Sequence, residues 1–238
     1  MEKTNFYKKM AEESEKIGIK LPDEQLNEFY EYMQLLLEWN EKMNLTAITD
    51  PEEVIKKHFV DSITIKKYIK EKSSLIDVGT GAGFPGIPLK IVDKSIKLTL
   101  LDSLNKRINF LNEIIEKLNL KEVNTIHSRA EEYAKNKVRE SYDVAVSRAV
   151  ADLPILLEYL MPYVKLNGIC ICMKGPKAQE ELERSKKAIN ILGGKLEKVE
   201  KITIDEEMER NLIIIRKIKD TPNKYPRKAG MPTKNPIV

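Results

Sequence analysis

Asp77-Val78-Gly79-Thr80-Gly81-Ala82-Gly83-Phe84-Pro85-Gly86 is the stretch on which the fold turns. Its glycines follow a short apolar run, Leu75 to Val78, and precede a helical stretch. Glycine at a strand-to-helix turn permits positive φ and lets backbone amides approach a ligand closely. From Gly79 the pattern is G-x-G-x-G; from Gly81 it is G-x-G-x-x-G, and an acid, Asp102, ends the next apolar run. Both readings predict a bound adenosine, with Asp102 accepting from its ribose hydroxyls. A second role is open for Asp102, that of capping acid for the helix beyond Ser103-Leu104.

Outward from this turn, strands and helices alternate. Apolar runs at Leu98 to Asp102, Val123 to Ile126, Tyr142 to Val146 and Ile169 to Met173 are separated by helix-length segments, which predicts a mostly parallel sheet covered on both faces. The last two runs, Lys195 to Ile204 and Asn211 to Ile215, are joined by the short charged connection Asp205 to Arg210. No helical crossover fits there, so these runs should pair antiparallel. Before Ser74 the chain reads as helices. Leu26, Phe29, Tyr30, Met33, Leu36 and Leu37 form an amphipathic face between Pro22 and Met43. A second helix starts at Asp50-Pro51-Glu52-Glu53, an acidic cap with proline at the first helical position. This divides the chain into a helical cap over residues 1–72, an α/β domain over 73–218 and a basic tail over 219–238.

Composition narrows the class. The chain has 238 residues, 42% hydrophobic and 33% charged, enough apolar material for a sizeable core and too much for wholesale disorder. Its 41 basic and 37 acidic side chains leave +4, and the excess sits at the C-terminus. There Arg216, Lys217, Lys219, Lys224, Arg227, Lys228 and Lys234 face a single acid, Asp220. Lys224-Tyr225-Pro226-Arg227-Lys228 combines charge with a stacking aromatic, either as an RNA-binding arm or as a solvated basic end. The 2 cysteines, Cys170 and Cys172, and the 2 histidines assemble neither a disulfide framework nor a four-ligand zinc site, so no metal is expected. No apolar stretch is long enough to span a membrane, and the charged N-terminus has no signal-peptide core, so the expected setting is soluble and cytoplasmic.

Beyond the glycine turn, several blocks occur in order: Trp39-Asn40-Glu41-Lys42-Met43-Asn44-Leu45-Thr46, His58-Phe59-Val60-Asp61-Ser62, Leu101-Asp102-Ser103-Leu104-Asn105-Lys106-Arg107, Ser128-Arg129-Ala130-Glu131-Glu132, Ser147-Arg148-Ala149 and Met173-Lys174-Gly175. With the antiparallel pair and the acid two residues before the first glycine, the chain resembles the class I S-adenosylmethionine-dependent methyltransferases. Within that class it resembles the small-subunit ribosomal RNA methyltransferase G family, also called glucose-inhibited division protein B, over nearly its whole length, tail included. Phe59-Val60 departs from the aliphatic residues usual in the histidine block. The resemblance implies a Rossmann-like α/β fold with a mostly parallel seven-stranded sheet, a C-terminal antiparallel pair and an N-terminal helical extension. It implies methyl transfer from S-adenosylmethionine to N7 of a guanine in the 530 loop of 16S rRNA, position 527, with 16S rRNA or the small ribosomal subunit as partner; a monomer is expected. Carried over by motif, Gly79 and Phe84 line the methionine side of the cofactor, Ala130 and Glu131 meet the adenine, and Arg148 approaches cofactor or target. With Gly81, Gly83, Asp102 and Ser103 these are the expected cofactor contacts.

The residues agree with an N7 target. Guanine N7 has a lone pair and no proton, so a direct displacement needs alignment at about 3 to 3.5 Å and no general base. An Asp/Asn-Pro-Pro-Tyr/Phe stretch, as exocyclic-amine methyltransferases carry, is replaced by Ser147-Arg148-Ala149-Val150. Pyrimidine C5 methylation needs a cysteine nucleophile, whereas Cys170 and Cys172 alternate with isoleucines as core residues do. Arg148 and Lys174 are the candidate catalytic residues. Arg148 either orients guanine, whose O6 and N7 suit a cationic fork, or holds the sheet edge, while Lys174 meets a phosphate. His58 and Asp61, on one helical face, either cover the cleft or make a packing contact. Two rival readings remain at this point, a nicotinamide-dependent oxidoreductase using the Gly81 pattern and a non-catalytic RNA-binding protein with the same fold.

Overall fold

The computed structural model describes residues 1–148, 150–205 and 208–238. Ala149 of the Ser147-Arg148-Ala149 block, and Glu206 and Glu207 of the connection between the last two strands, lie outside the described residues. The helical start comprises α1 (Lys3–Lys16), α2 (Asp23–Lys42), the short α3 (Pro51–Val54), a π-helical turn over Ile55–Val60 and α4 (Asp61–Ile63). The Asp50 carboxylate accepts from the Glu52 and Glu53 amides, both at 3.0 Å, and starts α3 as the sequence predicts. Seven strands follow: β1 (Ser74–Val78), β2 (Lys97–Asp102), β3 (Val123–His127), β4 (Tyr142–Arg148), β5 (Val164–Lys174), β6 (Gly194–Asp205) and β7 (Met208–Lys217). The helices α5 (Gly86–Val92), α6 (Asn105–Lys117), α7 (Ala130–Tyr133), α8 (Leu153–Leu160) and α9 (Ala178–Ile191) intervene, and α10 (Met231–Lys234) lies in the tail.

The sheet order is β3-β2-β1-β4-β5-β7-β6. β1 pairs in parallel with β2 and β4, and β7 inserts antiparallel between β5 and β6. The expected mixed sheet is therefore present, with every apolar run in a strand. β5 begins earlier than its apolar run, with Lys165, Leu166 and Asn167 exposed so that no apolar pattern marks its start, and its register with β4 shifts between Tyr142 and Val144.

Each face of the sheet has its own core. On one face α1, α2, the π turn, α5 and α6 pack on Leu75, Leu98, Leu100, Val146, Ile171 and Ile214. The N-terminal helices thus share a core with the strands. On the other face α8 and α9 cover Ile76, Val78, Ala145, Cys170, Cys172 and Ile213, and the tail adds Tyr225 and Ile237. Both cysteines are free thiols in this core. The buried face of α2 is turned slightly from the sequence reading: Tyr32 and Leu35 are buried, while Tyr30 and Leu37 are only partly so.

The strand order reverses about β1, since β2 and β3 continue on one side and β4 and β5 on the other. Open α/β sheets bind ligands at this switch point, outside the carboxyl ends of the strands.

Candidate active site

A cavity of about 530 Å³ opens at the carboxyl ends of β1, β2 and β4, within the range of about 300–1,000 Å³ typical of small-molecule sites. The glycine turn forms its floor. Its start is tied down by the Gly79 amide, which donates to the Leu101 carbonyl at 2.8 Å. Beneath it the fully buried Asp77 Oδ2 accepts from Thr80 Oγ1 at 2.7 Å and from the Gly86 amide at 2.9 Å, clamping both ends of the turn. Burial raises the Asp77 carboxyl to about 7 against these bonds, and its Oδ1 has no partner among the described residues. From the other side the Tyr32 hydroxyl donates to the Ala82 carbonyl, and its ring stacks on Phe84 with centroids 5.5 Å apart. The N-terminal helices therefore shape the turn directly.

Gly79 and Gly81 are left-handed, at φ +69° and +61°, for different reasons. A Cβ on Gly79 would lie 2.6 Å from Val150 Cγ2, whereas one on Gly81 would meet nothing within 4 Å and would project into open space. Gly83 does not line the cavity; a Cβ there would meet the Tyr32 hydroxyl at 2.7 Å.

Asp102 ends β2 with its carboxylate aimed at the turn. Oδ2 accepts from the Gly81 amide at 2.9 Å, Oδ1 from the Leu104 amide at 3.0 Å, and Arg107 Nη1 lies 3.2 Å away. Leu104, not Asp102, occupies the cap position of α6, so the acid orients the turn before the helix. Ser103, Ala130 and Glu131 complete this side, with Glu131 Oε1 accepting from the Gly230 amide of the tail at 3.2 Å.

Across β1, Arg148 lines the cavity with its side chain 10% exposed. Nη1 donates to the Lys57 carbonyl and to Asp61 Oδ2, both at 2.9 Å, and Nη2 to His58 Nδ1 at 3.0 Å. Its guanidinium carbon stands 4.9 Å from the centre of the Phe84 ring, on which His58 also stacks. Arg210 donates to both oxygens of the fully buried Asp61, at 2.8 and 2.9 Å. His58 and Asp61 thus do both things the sequence left open: they pack against β4 and β7, and His58 walls the cavity. Burial and the Arg148 charge lower the His58 imidazole to about 3, so it is neutral.

Lys174 departs from expectation. It lies outside the cavity wall, its Nζ 2.6 Å from Glu181 Oε2 and 2.7 Å from the Ala151 carbonyl that accepts from it. It ties β5 to the segment leading into α8 rather than lining the cleft. The tail also departs from the picture of an arm. Arg227 is bound to the buried Glu158 of α8, Arg139 donates to the Thr221 and Tyr225 carbonyls at 2.7 and 2.8 Å, and Gly230 and Thr233 reach the cavity. Sequence reasoning missed Thr46, Arg107, Tyr159 and Thr233 as lining residues. Thr46 and Arg107 end quoted blocks, but nothing local marks Tyr159 or Thr233.

These residues fit S-adenosylmethionine. The Gly81 face leaves space that a side chain would fill, and the Asp102 carboxylate, an acceptor of the kind a ribose diol needs, lines the same cavity. With the sheet order and the antiparallel β7, the arrangement defines a class I S-adenosylmethionine-dependent methyltransferase. The sequence profile of rRNA small subunit methyltransferase G matches residues 25–213. The ribosomal RNA small subunit methyltransferase G of Acetivibrio thermocellus is 54% identical over 233 residues, 97% of this chain and 96% of that one. Its counterpart from Clostridium botulinum strain Eklund 17B is 55% identical over 236 residues, 98% of this chain and 99% of that one. Among solved structures, a SAM dependent methyltransferase from Aquifex aeolicus superposes with a TM-score of 0.55 at 20% identity, over 75% of this chain and 97% of that one, a likeness of fold. The chain belongs to the rRNA small subunit methyltransferase G family. The oxidoreductase and non-catalytic readings are thereby set aside.

Proposed function

We propose that the protein methylates N7 of a guanine in the 530 loop of 16S rRNA, position 527, using S-adenosylmethionine. The observation that carries the atom is the state of the groups at the Arg148 end of the cavity. His58 is neutral with both ring nitrogens engaged, and Asp61 is saturated by two arginines. Among the described residues, no free base faces the cavity there. A target with a lone pair and no proton needs none, so alignment accounts for much of the acceleration.

S-adenosylmethionine, when bound, supplies a methyl group on a positively charged sulfur. Asp102 and Ser103 hold the ribose, Ala130 and Glu131 the adenine, and Gly79, Gly81 and Phe84 the methionine portion, with Gly83 shaping the turn from below. Arg148 and His58, both packed on the Phe84 ring, wall the end of the cavity that would take the base. On this reading the protein acts as a monomer in the cytoplasm, on 16S rRNA or the small ribosomal subunit.

The test is incubation with labelled S-adenosylmethionine and unmodified small-subunit RNA, naked and assembled, followed by nucleoside mass spectrometry and mapping. 7-Methylguanosine at a single 530-loop position is the expected product, and the better acceptor names the form of substrate. Methylation of another atom, or none on either acceptor despite cofactor binding, overturns the assignment.

A further inference from the structure

At the Arg148 end of the cavity the protons can be assigned from the donors and acceptors around His58. A guanidinium only donates, so the Arg148 Nη2 contact at 3.0 Å makes His58 Nδ1 an acceptor. The proton of the neutral ring therefore sits on Nε2, which donates to Thr46 Oγ1 at 2.7 Å. The Ile48 amide also donates to Thr46 Oγ1, at 3.0 Å. A hydroxyl has two acceptor sites and one proton. Both acceptor sites of Thr46 are filled, its O–H has no acceptor among the described residues, and the residue lines the cavity beside His58, Phe84 and Arg148. Asp102 and Glu131, on the adenosine side, lie across β1 from it.

We propose that the Thr46 hydroxyl, fixed as a donor by His58 and the Ile48 amide, contacts O6 of the target guanine and makes the site selective for guanine over adenine. This rests on the guanine N7 reading above. O6 lies next to N7 on the same base edge, whereas adenine presents an amino group there. With its acceptor sites filled, Thr46 cannot receive that amino group. The site then sets donor against donor.

The test uses RNA acceptors whose target guanosine is replaced by inosine, which keeps O6 and N7, or by 2-aminopurine riboside, which keeps N7 and lacks O6. The wild-type enzyme should use inosine about as well as guanosine and 2-aminopurine about 10- to 100-fold less well in kcat/KM, the cost of leaving the Thr46 donor unmet once the base covers it. Thr46→Val should lose activity on guanosine and not on 2-aminopurine, so that the ratio collapses toward one, while Thr46→Ser keeps it. Affinity for S-adenosylhomocysteine should change by less than about 2-fold across the series. An equal loss on both bases in Thr46→Val would mean a packing role only and overturns the proposal. So does weakened cofactor binding with the ratio intact. Should Thr46→Val fail to fold, a wild-type ratio near one, or a ratio lost in Thr46→Ser, overturns it equally. Absence of 7-methylguanosine from the wild-type reaction on guanosine RNA instead removes the parent reading.

Discussion

Glu158→Gln tests whether the basic C-terminus is part of the enzyme body. Glu158 is fully buried, and its carboxylate accepts from the Arg227 amide at 2.8 Å, from Nε at 3.0 Å and from Nη2 at 2.7 Å. Breaking a buried pair by neutralising one partner costs about 3–5 kcal/mol. The Arg227 side chain is 22% exposed and regains some hydration, so about 2–3 kcal/mol is the appropriate range here. Tyr225 and Ile237 remain as apolar anchors on either side, so the loss should fall on the segment between them. Amide hydrogen exchange over residues 227–236 should accelerate about 30- to 150-fold, the equivalent of that energy, with little change in the strands. Because Gly230 and Thr233 line the cavity and Glu131 accepts from the Gly230 amide, S-adenosylhomocysteine should bind about 5-fold more weakly by calorimetry, roughly one lost hydrogen bond. Unchanged exchange in this segment would refute the clamp, and unchanged affinity with faster exchange would refute the tail as a cavity wall. A loose arm makes the opposite prediction for RNA: Arg227→Ala would then reduce the salt slope of binding by about 0.7. The docked tail predicts no change.

The remaining predictions concern the turn and its two flanks. Asp102→Asn should weaken S-adenosylhomocysteine binding about 10- to 100-fold, the value of charge-assisted bonds to a diol of about 1.5–3 kcal/mol; unaltered calorimetric affinity would remove Asp102 from that role. Gly79→Ala and Gly81→Ala should separate stability from binding. Both force a left-handed alanine and should lower stability by about 1–2 kcal/mol; the first also meets Val150, 41% exposed and free to shift, while the second projects into the cavity, so comparable melts with a larger loss of S-adenosylhomocysteine affinity in Gly81→Ala are expected. The His58 imidazole is lowered from 6.5 to about 3 by burial and Arg148, so between these values the unfolded chain binds the extra proton and folding stability falls as pH falls. The stability advantage of wild type over His58→Gln, measured by denaturant unfolding, should therefore shrink from pH 6.5 toward pH 3 by at most about 5 kcal/mol, and a difference flat in pH contradicts the buried neutral ring. Asp77, raised to about 7, slopes the other way but is common to both proteins and cancels.

The strands and the glycine turn were readable because their causes are local. A parallel strand buried on both faces must be an apolar run, and a turn that holds Gly79 and Gly81 at left-handed φ favours glycine through its own backbone. Even α2 was displaced only in detail, since Tyr32 is buried by Phe59 and Phe84, residues that approach it only in the folded chain. What misled was the inventory of cations. Arg148, Lys174 and Arg227 look available to a polyanion when counted along the sequence, yet each is bound by a buried acid from a distant element: Asp61, Glu181 and Glu158 respectively. A burial penalty explains the pairing, because an acid at these depths without a cation would cost several kcal/mol. The signal was therefore present in the acids. Glu158 is the single charge in the helix Leu153 to Leu160, and Asp61 follows His58-Phe59-Val60 into a buried turn. An isolated acid on an apolar helical face requires a partner that the local sequence does not name. Each such acid removes at least one basic side chain from those counted as free to meet RNA, and Asp61 removes two, Arg148 and Arg210. The cations that remain, Lys224 and Lys228 among them, are those for which a phosphate contact and its salt dependence can be sought.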